Sequence, residues 1–175
     1  MFVENIPAPR RILFVCSGNI CRSPAAEAIA RLWLDRHALG QVATASCGSL
    51  RITGEPAAAL TVEALARRGV DLRGHRSRPL SHFLLREADL VVGMEPAHRE
   101  AALWELGGDT DLVPHGVHVV TEYHPEDRFR DDGGIYDFVE AARDEYLEGI
   151  AELERCVHRM LEEFYPEARE TRPDA

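Results

Sequence analysis

The spacing of apolar residues changes several times along this chain, and each change marks a new element. Ile12-Leu13-Phe14-Val15 is unbroken, as in a central strand covered on both faces, and predicts a strand over 11–16. Ser23 offers an N-cap and Pro24 a first helical residue. Ala25, Ala26, Ile29, Leu32 and Trp33 then follow at helical spacing, predicting a helix that ends near 37–40. Val42 to Ser46 alternates and predicts a second strand. After a loop over 48–56, an amphipathic helix is expected over 56–68, with Leu60, Ala64 and Leu65 inward and Gly69 as its stop. A short helix over 79–87, a third strand over 89–94, a helix from Glu95 or Pro96 through Leu106 and a weak fourth strand over 113–120 complete the middle. A polar loop over 122–134 precedes a long helix from about Tyr136 to Phe164.

Strands alternating with helices, without repeats or a linker, predict an α/β fold: a three-layer α/β/α sandwich with a four-stranded parallel sheet. A chain of 175 residues with 45% hydrophobic content can bury one core, so a single domain over 1–165 with a loose tail over 166–175 is expected. The net charge of −10 argues against a general nucleic-acid or anionic-membrane surface. All 20 basic residues are arginine, which we attribute to coding bias. No window approaches the roughly 20 apolar residues of a membrane span, and Met1 to Arg11 lacks a secretory apolar core. Four scattered cysteines, Cys16, Cys21, Cys47 and Cys156, without a Cys-x-x-Cys pair, fit a reducing cytoplasm.

Candidate chemistry concentrates in Cys16-Ser17-Gly18-Asn19-Ile20-Cys21-Arg22-Ser23-Pro24, between the first strand and the first helix. A lone cysteine ending an apolar strand is ordinarily a small buried hydrophobe, and a lone arginine at a helix start a solvated charge. Together, with five residues between them, they can wrap one tetrahedral oxyanion. Main-chain N–H groups of Ser17 to Ser23 would point inward, aided by the positive end of the helix. Gly18 and Asn19 tolerate the left-handed angles of such a nest. The same field favours a thiolate at Cys16, to which Ser23 is placed to donate. Arg22 supplies a planar fork for two phosphoryl oxygens. This set predicts phosphate ester cleavage through a phosphocysteine, requiring no metal or cofactor.

The segment Leu13-Phe-Val-Cys-Ser-Gly-Asn-Ile-Cys-Arg-Ser-Pro-Ala-Ala-Glu27 resembles the low-molecular-weight protein tyrosine phosphatase family. Supporting matches are Ser46-Cys-Gly-Ser49, Gly54-Glu-Pro-Ala57, Gly69-Val70, His75-Arg-Ser-Arg78 and Asp89 to Met94, so the resemblance covers roughly residues 11–160. It implies that Ser46 and His75 hold Asn19. It also implies a phosphorylated protein substrate and an aspartate, in an Asp-Pro-aromatic segment before the last helix, that protonates the leaving oxygen. No Asp-Pro occurs here; the corresponding stretch, Pro125 to Gly134, offers Asp131 and Asp132, with Asp127 behind them. Leu50-Arg51 stand where many relatives have a tryptophan or tyrosine.

Ile20 bears on substrate, because relatives acting on phosphoarginine place threonine there and tyrosine phosphatases commonly isoleucine. Cys21 matches a second loop cysteine that in family members forms a reversible disulfide with the nucleophile; packing under the loop is the plainer alternative. Three other readings stay open. They are a phosphoarginine phosphatase, a weakly active or non-catalytic phosphate sensor, and an arsenate reductase. The last needs further downstream cysteines, and residues 80–95 contain none. Oligomeric state is not legible.

Overall fold

The computed structural model describes residues 7–126 and 133–169. Four strands, β1 (Arg11–Cys16), β2 (Ala43–Gly48), β3 (Leu90–Gly93) and β4 (Val117–Val119), form one sheet in the order β2-β1-β3-β4. Every pairing is parallel, with Phe14 opposite Ser46 on one side and Val92 on the other. The helices are α1 (Arg22–Arg36), α2 (Ala59–Ala66), α3 (His82–Arg86), α4 (Pro96–Glu105) and α5 (Arg143–Phe164). The architecture is an α/β sandwich, as the sequence predicts.

Period-two alternation in β1 divides the core. Ile12, Phe14 and Cys16 face α1 and α5, where they meet Ile29, Trp33, Ile150 and Val157. Leu13 and Val15 face α3 and α4, against Leu85, Ala102 and Leu106. Phe14 is fully buried, so its truncation to alanine would cost about 3–5 kcal/mol. Strand β1 is therefore covered on both faces, which is why its apolar run does not alternate with polar residues.

The strand order also fixes where a ligand belongs. From β1 the chain winds outward to β2, then crosses back to β3 on the other side of β1. The topological switch point thus lies beyond the carboxyl end of β1, where the crevice of a doubly wound sheet opens. Cys16 is the last residue of β1.

Several element boundaries differ from expectation. Helix α1 starts at Arg22 with Cys21 in the cap position, because the Ser23 hydroxyl turns toward the Cys16 thiol and Cys47 O instead of capping. Strand β2 runs on to Gly48, and the weak fourth strand shortens to three residues. The largest change is in α5, which begins at Arg143 rather than Tyr136. Residues 135–142 are irregular instead: Ile135 N–H donates to Met94 O, just past β3, at 2.8 Å, and Phe138 is buried in the core. Pro166–Arg169 form a 3-10 turn with Ala168 buried; 170–175 lie outside the described residues. Among the described residues, no helix is long and apolar enough to cross a membrane.

Candidate active site

The loop after β1 closes on the sulfur of Cys16. Asn19 has a positive φ of 54°, a conformation its short polar side chain tolerates, and this turns its N–H back to donate to Cys16 Sγ at 3.2 Å. Ser23 Oγ lies 3.0 Å from the same sulfur. Gly48 lets the loop sit close to β2, since a β-carbon there would meet Ser17 O at 2.7 Å and Asn19 N at 3.0 Å.

Asn19 is the fully buried hub of the loop. Its Nδ2 donates to Ser23 Oγ at 3.0 Å and to Ser46 Oγ at 2.9 Å. Its Oδ1 accepts from Arg78 N–H at 3.0 Å, and its carbonyl accepts from His75 Nε2 at 2.7 Å. Ser46 in turn donates to Glu27 Oε2 at 2.6 Å. Each hydrogen-bonding group of the Asn19 side chain thus has a partner on another element. Burying such groups unpaired would cost about 1–3 kcal/mol each.

Arg22 is the bulkiest fully buried side chain, 1% exposed, and both of its terminal nitrogens meet a carboxylate. Nη1 meets Glu95 Oε1 and Ile135 O, both at 2.9 Å; Nη2 meets Asp137 Oδ2 at 3.0 Å and Ser17 Oγ at 3.4 Å. The remaining donor, Nε, is buried without a hydrogen-bond partner. An unpaired donor on a buried cation is costly, and here it belongs to a side chain that lines a cavity together with Cys16. That cavity holds about 170 Å³. Its lining combines the loop residues Cys16, Ser17, Gly18, Ile20, Cys21 and Arg22 with Leu50, Ile52, Asp137 and Val139.

His98 reaches the loop from α4. Its Nδ1 accepts the Glu95 N–H at 3.1 Å, so its proton resides on Nε2, which donates to Ser17 Oγ at 3.0 Å. Burial, with Arg22 next, holds this imidazole down at about 4, hence neutral. Ser17 Oγ therefore accepts from His98 and Arg22, and its own proton is left to donate to another acceptor. Cys21 faces away from this chemistry. Its sulfur lies 2.8 Å from Tyr146 OH, which also bonds Thr61, and burial pushes the thiol up to about 11. Burial likewise pushes the Cys47 thiol up to about 12. Among the described residues, no three His, Cys, Asp or Glu side chains are grouped to hold a metal ion.

Residues 11–170 match the family described as low molecular weight phosphotyrosine protein phosphatase. The chain belongs to this family. It is 35% identical over 144 residues to the protein-arginine-phosphatase of Bacillus subtilis (strain 168), a match covering 81% of this chain and 93% of that relative. It is 38% identical over 91 residues to the probable low molecular weight protein-tyrosine-phosphatase EpsP of Ralstonia nicotianae. That match spans 52% of this chain and only 59% of the relative's length. Among solved structures, a YwlE arginine phosphatase variant with a phosphorylated active-site serine superposes with a TM-score of 0.77 at 29% identity, over 91% of this chain and 98% of that one.

The structure brings Cys16, Ser17, Gly18, Asn19, Ile20, Arg22, Ser23, Ser46 and His75 together, either lining one cavity or bonded to the loop that lines it. Cys21 borders the cavity while its thiol bonds elsewhere. Asp127, Asp131 and Asp132 lie outside the described residues. Among the described residues, the carboxylate lining the cavity is Asp137, a position the predicted helix over 136–164 includes. Asp144 and Glu145 in the first turn of α5 are the overlooked signal, since acidic residues favour a helix start at Arg143. Glu95 and His98 carried no sequence signal beyond a helix N-terminus.

Proposed function

We propose that this chain hydrolyses phosphate monoesters of the phosphotyrosine type on proteins, through a phosphocysteine at Cys16. The observation that carries the reading is one cavity shared by the Cys16 sulfur, a buried arginine with a free Nε donor, and the Asp137 carboxyl. The phosphoryl group would lie on the loop N–H groups, with Arg22 meeting its equatorial oxygens. Cys16 Sγ attacks in line. As the S–P bond forms, the P–O bond to the substrate breaks, and a protonated Asp137 delivers its proton to the leaving oxygen. Asp137, now a carboxylate, takes a proton from water, whose oxygen displaces phosphate from sulfur. The Ser23 hydroxyl stabilises the sulfur both as nucleophile and as leaving group.

The walls support an aryl substrate. Ile20, Leu50, Ile52 and Val139 are aliphatic and suit the faces of a flat ring, whereas among the described lining residues the N–H groups of a phosphoguanidine would find a single carboxylate acceptor, Asp137. The similarity to the Bacillus subtilis protein-arginine-phosphatase supports phosphoarginine as the second reading. A carboxylate in the cavity supports catalysis over the alternative of a non-catalytic sensor. A single comparison tests the substrate: kcat/KM on matched phosphotyrosine and phosphoarginine peptides. We expect phosphotyrosine to be preferred by at least about tenfold, the range of a pocket differing in apolar fit; preference for phosphoarginine would overturn the assignment. The reading also holds that the protein works in the cytoplasm.

A further inference from the structure

Asp137 and Val139 both line the Cys16 cavity, while Phe138 between them is fully buried on the other side. Its ring packs edge-to-face with that of Tyr146 at a centroid distance of 4.8 Å and lies against Gly149 of α5. A β-carbon at Gly149 would stand 2.7 Å from Phe138 Cε1 and closer still to Cδ1. Real side chains do not approach that closely, so the ring occupies the space a larger residue would need.

Gly149 otherwise has no reason to be there. Glycine is the poorest ordinary residue in a helix interior, and Gly149 does not adopt the positive φ that would require it. Its use is steric: it opens a notch. The ties that hold the neighbouring backbone lie mostly before Asp137, at Gly134, whose β-carbon would collide with Met94 O and Glu95, and at Ile135, bonded to Met94 and Arg22. No proline stiffens residues 133–142. Beyond Asp137, the deep anchor is the Phe138 ring.

We propose that Gly149 is a positioning residue: its notch seats Phe138, and that seat holds Asp137 and Val139 over the Cys16 thiol. The inference rests on the reading of Asp137 as proton donor. A seat filled by an added methyl pushes the ring outward and carries the carboxyl with it. The leaving oxygen then departs without its proton, and the loss grows with the basicity of that oxygen. A misplacement of about 1 Å in such a transfer costs on the order of 10²-fold.

The test compares kcat/KM on phenyl phosphate, a poor leaving group, and para-nitrophenyl phosphate, a good one, with vanadate inhibition as a measure of the phosphate cradle. Gly149→Ala should lose about 10–100-fold on phenyl phosphate, far less on para-nitrophenyl phosphate, and keep its vanadate affinity. Adding Phe138→Leu, which shortens the ring's reach, should restore much of the loss. Equal losses on both substrates, no loss, or no rescue would overturn the proposal. Should Gly149→Ala fail to fold, Phe138→Leu alone carries the test: it leaves the notch part-empty and should show the same leaving-group dependence, whereas equal losses overturn the anchor. Asp137→Asn separates the two readings. If it shows no leaving-group dependence, the proton-donor assignment fails; if it does and Gly149→Ala matches the wild type, only the anchor fails.

Discussion

Asp137 Oδ2 lies 3.0 Å from Arg22 Nη2, so the group that would protonate a leaving oxygen is paired with the group that would hold the phosphoryl. Each is kept in the cavity partly by the other. Arg22 also bonds the carbonyl of Ile135, two residues before Asp137, which ties the segment's backbone to the same guanidinium. On the proposed reading, phosphate binding and proton delivery share one cation, while Cys16 stands at the end of β1.

Asp137→Asn keeps the shape and removes the proton. We expect kcat/KM on phenyl phosphate to fall by about 10²–10⁴-fold, the usual worth of general acid catalysis, with vanadate binding retained. Steady-state kinetics on the two aryl phosphates measure this. A paired Asp131→Ala, Asp132→Ala variant that showed the leaving-group-dependent loss in its place would move the acid to those residues.

Gly48→Ala should damage the cradle itself. The added β-carbon meets Ser17 O and Asn19 N, both main-chain atoms of the loop, so the strain has no flexible side chain to absorb it. We expect a stability loss of about 1–3 kcal/mol, as for other overpacked sites, with weakened vanadate affinity. Urea denaturation and inhibition constants check both parts; unchanged vanadate affinity would mean the loop tolerates the shift.

His98 makes stability depend on pH. Its imidazole is held down at about 4 in the folded protein by burial and by Arg22, against about 6.5 in an unfolded chain. The unfolded state binds more protons between these values, so stability rises from pH 4 to 6.5 and then levels. The contribution is about 3 kcal/mol at most. Glu95 and Asp137, the carboxylates near it, oppose part of this. Urea denaturation of wild type and His98→Asn at pH 7 and pH 5 should show a smaller drop in the variant; equal drops would remove His98 as a source.

Cysteine reactivity should be uneven. With their thiols at about 11 and about 12, Cys21 and Cys47 have little thiolate at neutral pH. Iodoacetamide at pH 7.5, read by peptide mass mapping, should modify Cys16 first. Peroxide should accordingly give a Cys16–Cys21 disulfide slowly; rapid formation would show that Cys21 breaks from Tyr146 with little cost.

The legible parts of this protein are those governed by local rules. The unbroken apolar run of β1, the Gly18-Asn19 pair and the spacing of Cys16 to Arg22 specify strand, nest and clamp within a dozen residues, and the structure keeps them together. Asn19's partners, Ser46 and His75, were legible only through family resemblance, because 27 and 56 residues separate them from it. Asp137 was not legible. Its identity depends on Phe138 leaving the helical path to fill a notch on Gly149, a contact no periodicity encodes. His98 was hidden for a related reason: as part of the capping interaction of α4 it looks like an ordinary helix start, and only the fold brings its Nε2 to Ser17.

The most direct measurement is to quench turnover of para-nitrophenyl phosphate with acid and map the protein by mass spectrometry. A phosphoryl group on the peptide containing Cys16, absent from Cys16→Ala together with all turnover, is the predicted result. Turnover that leaves no phosphoryl on Cys16, or that survives Cys16→Ala, would contradict it.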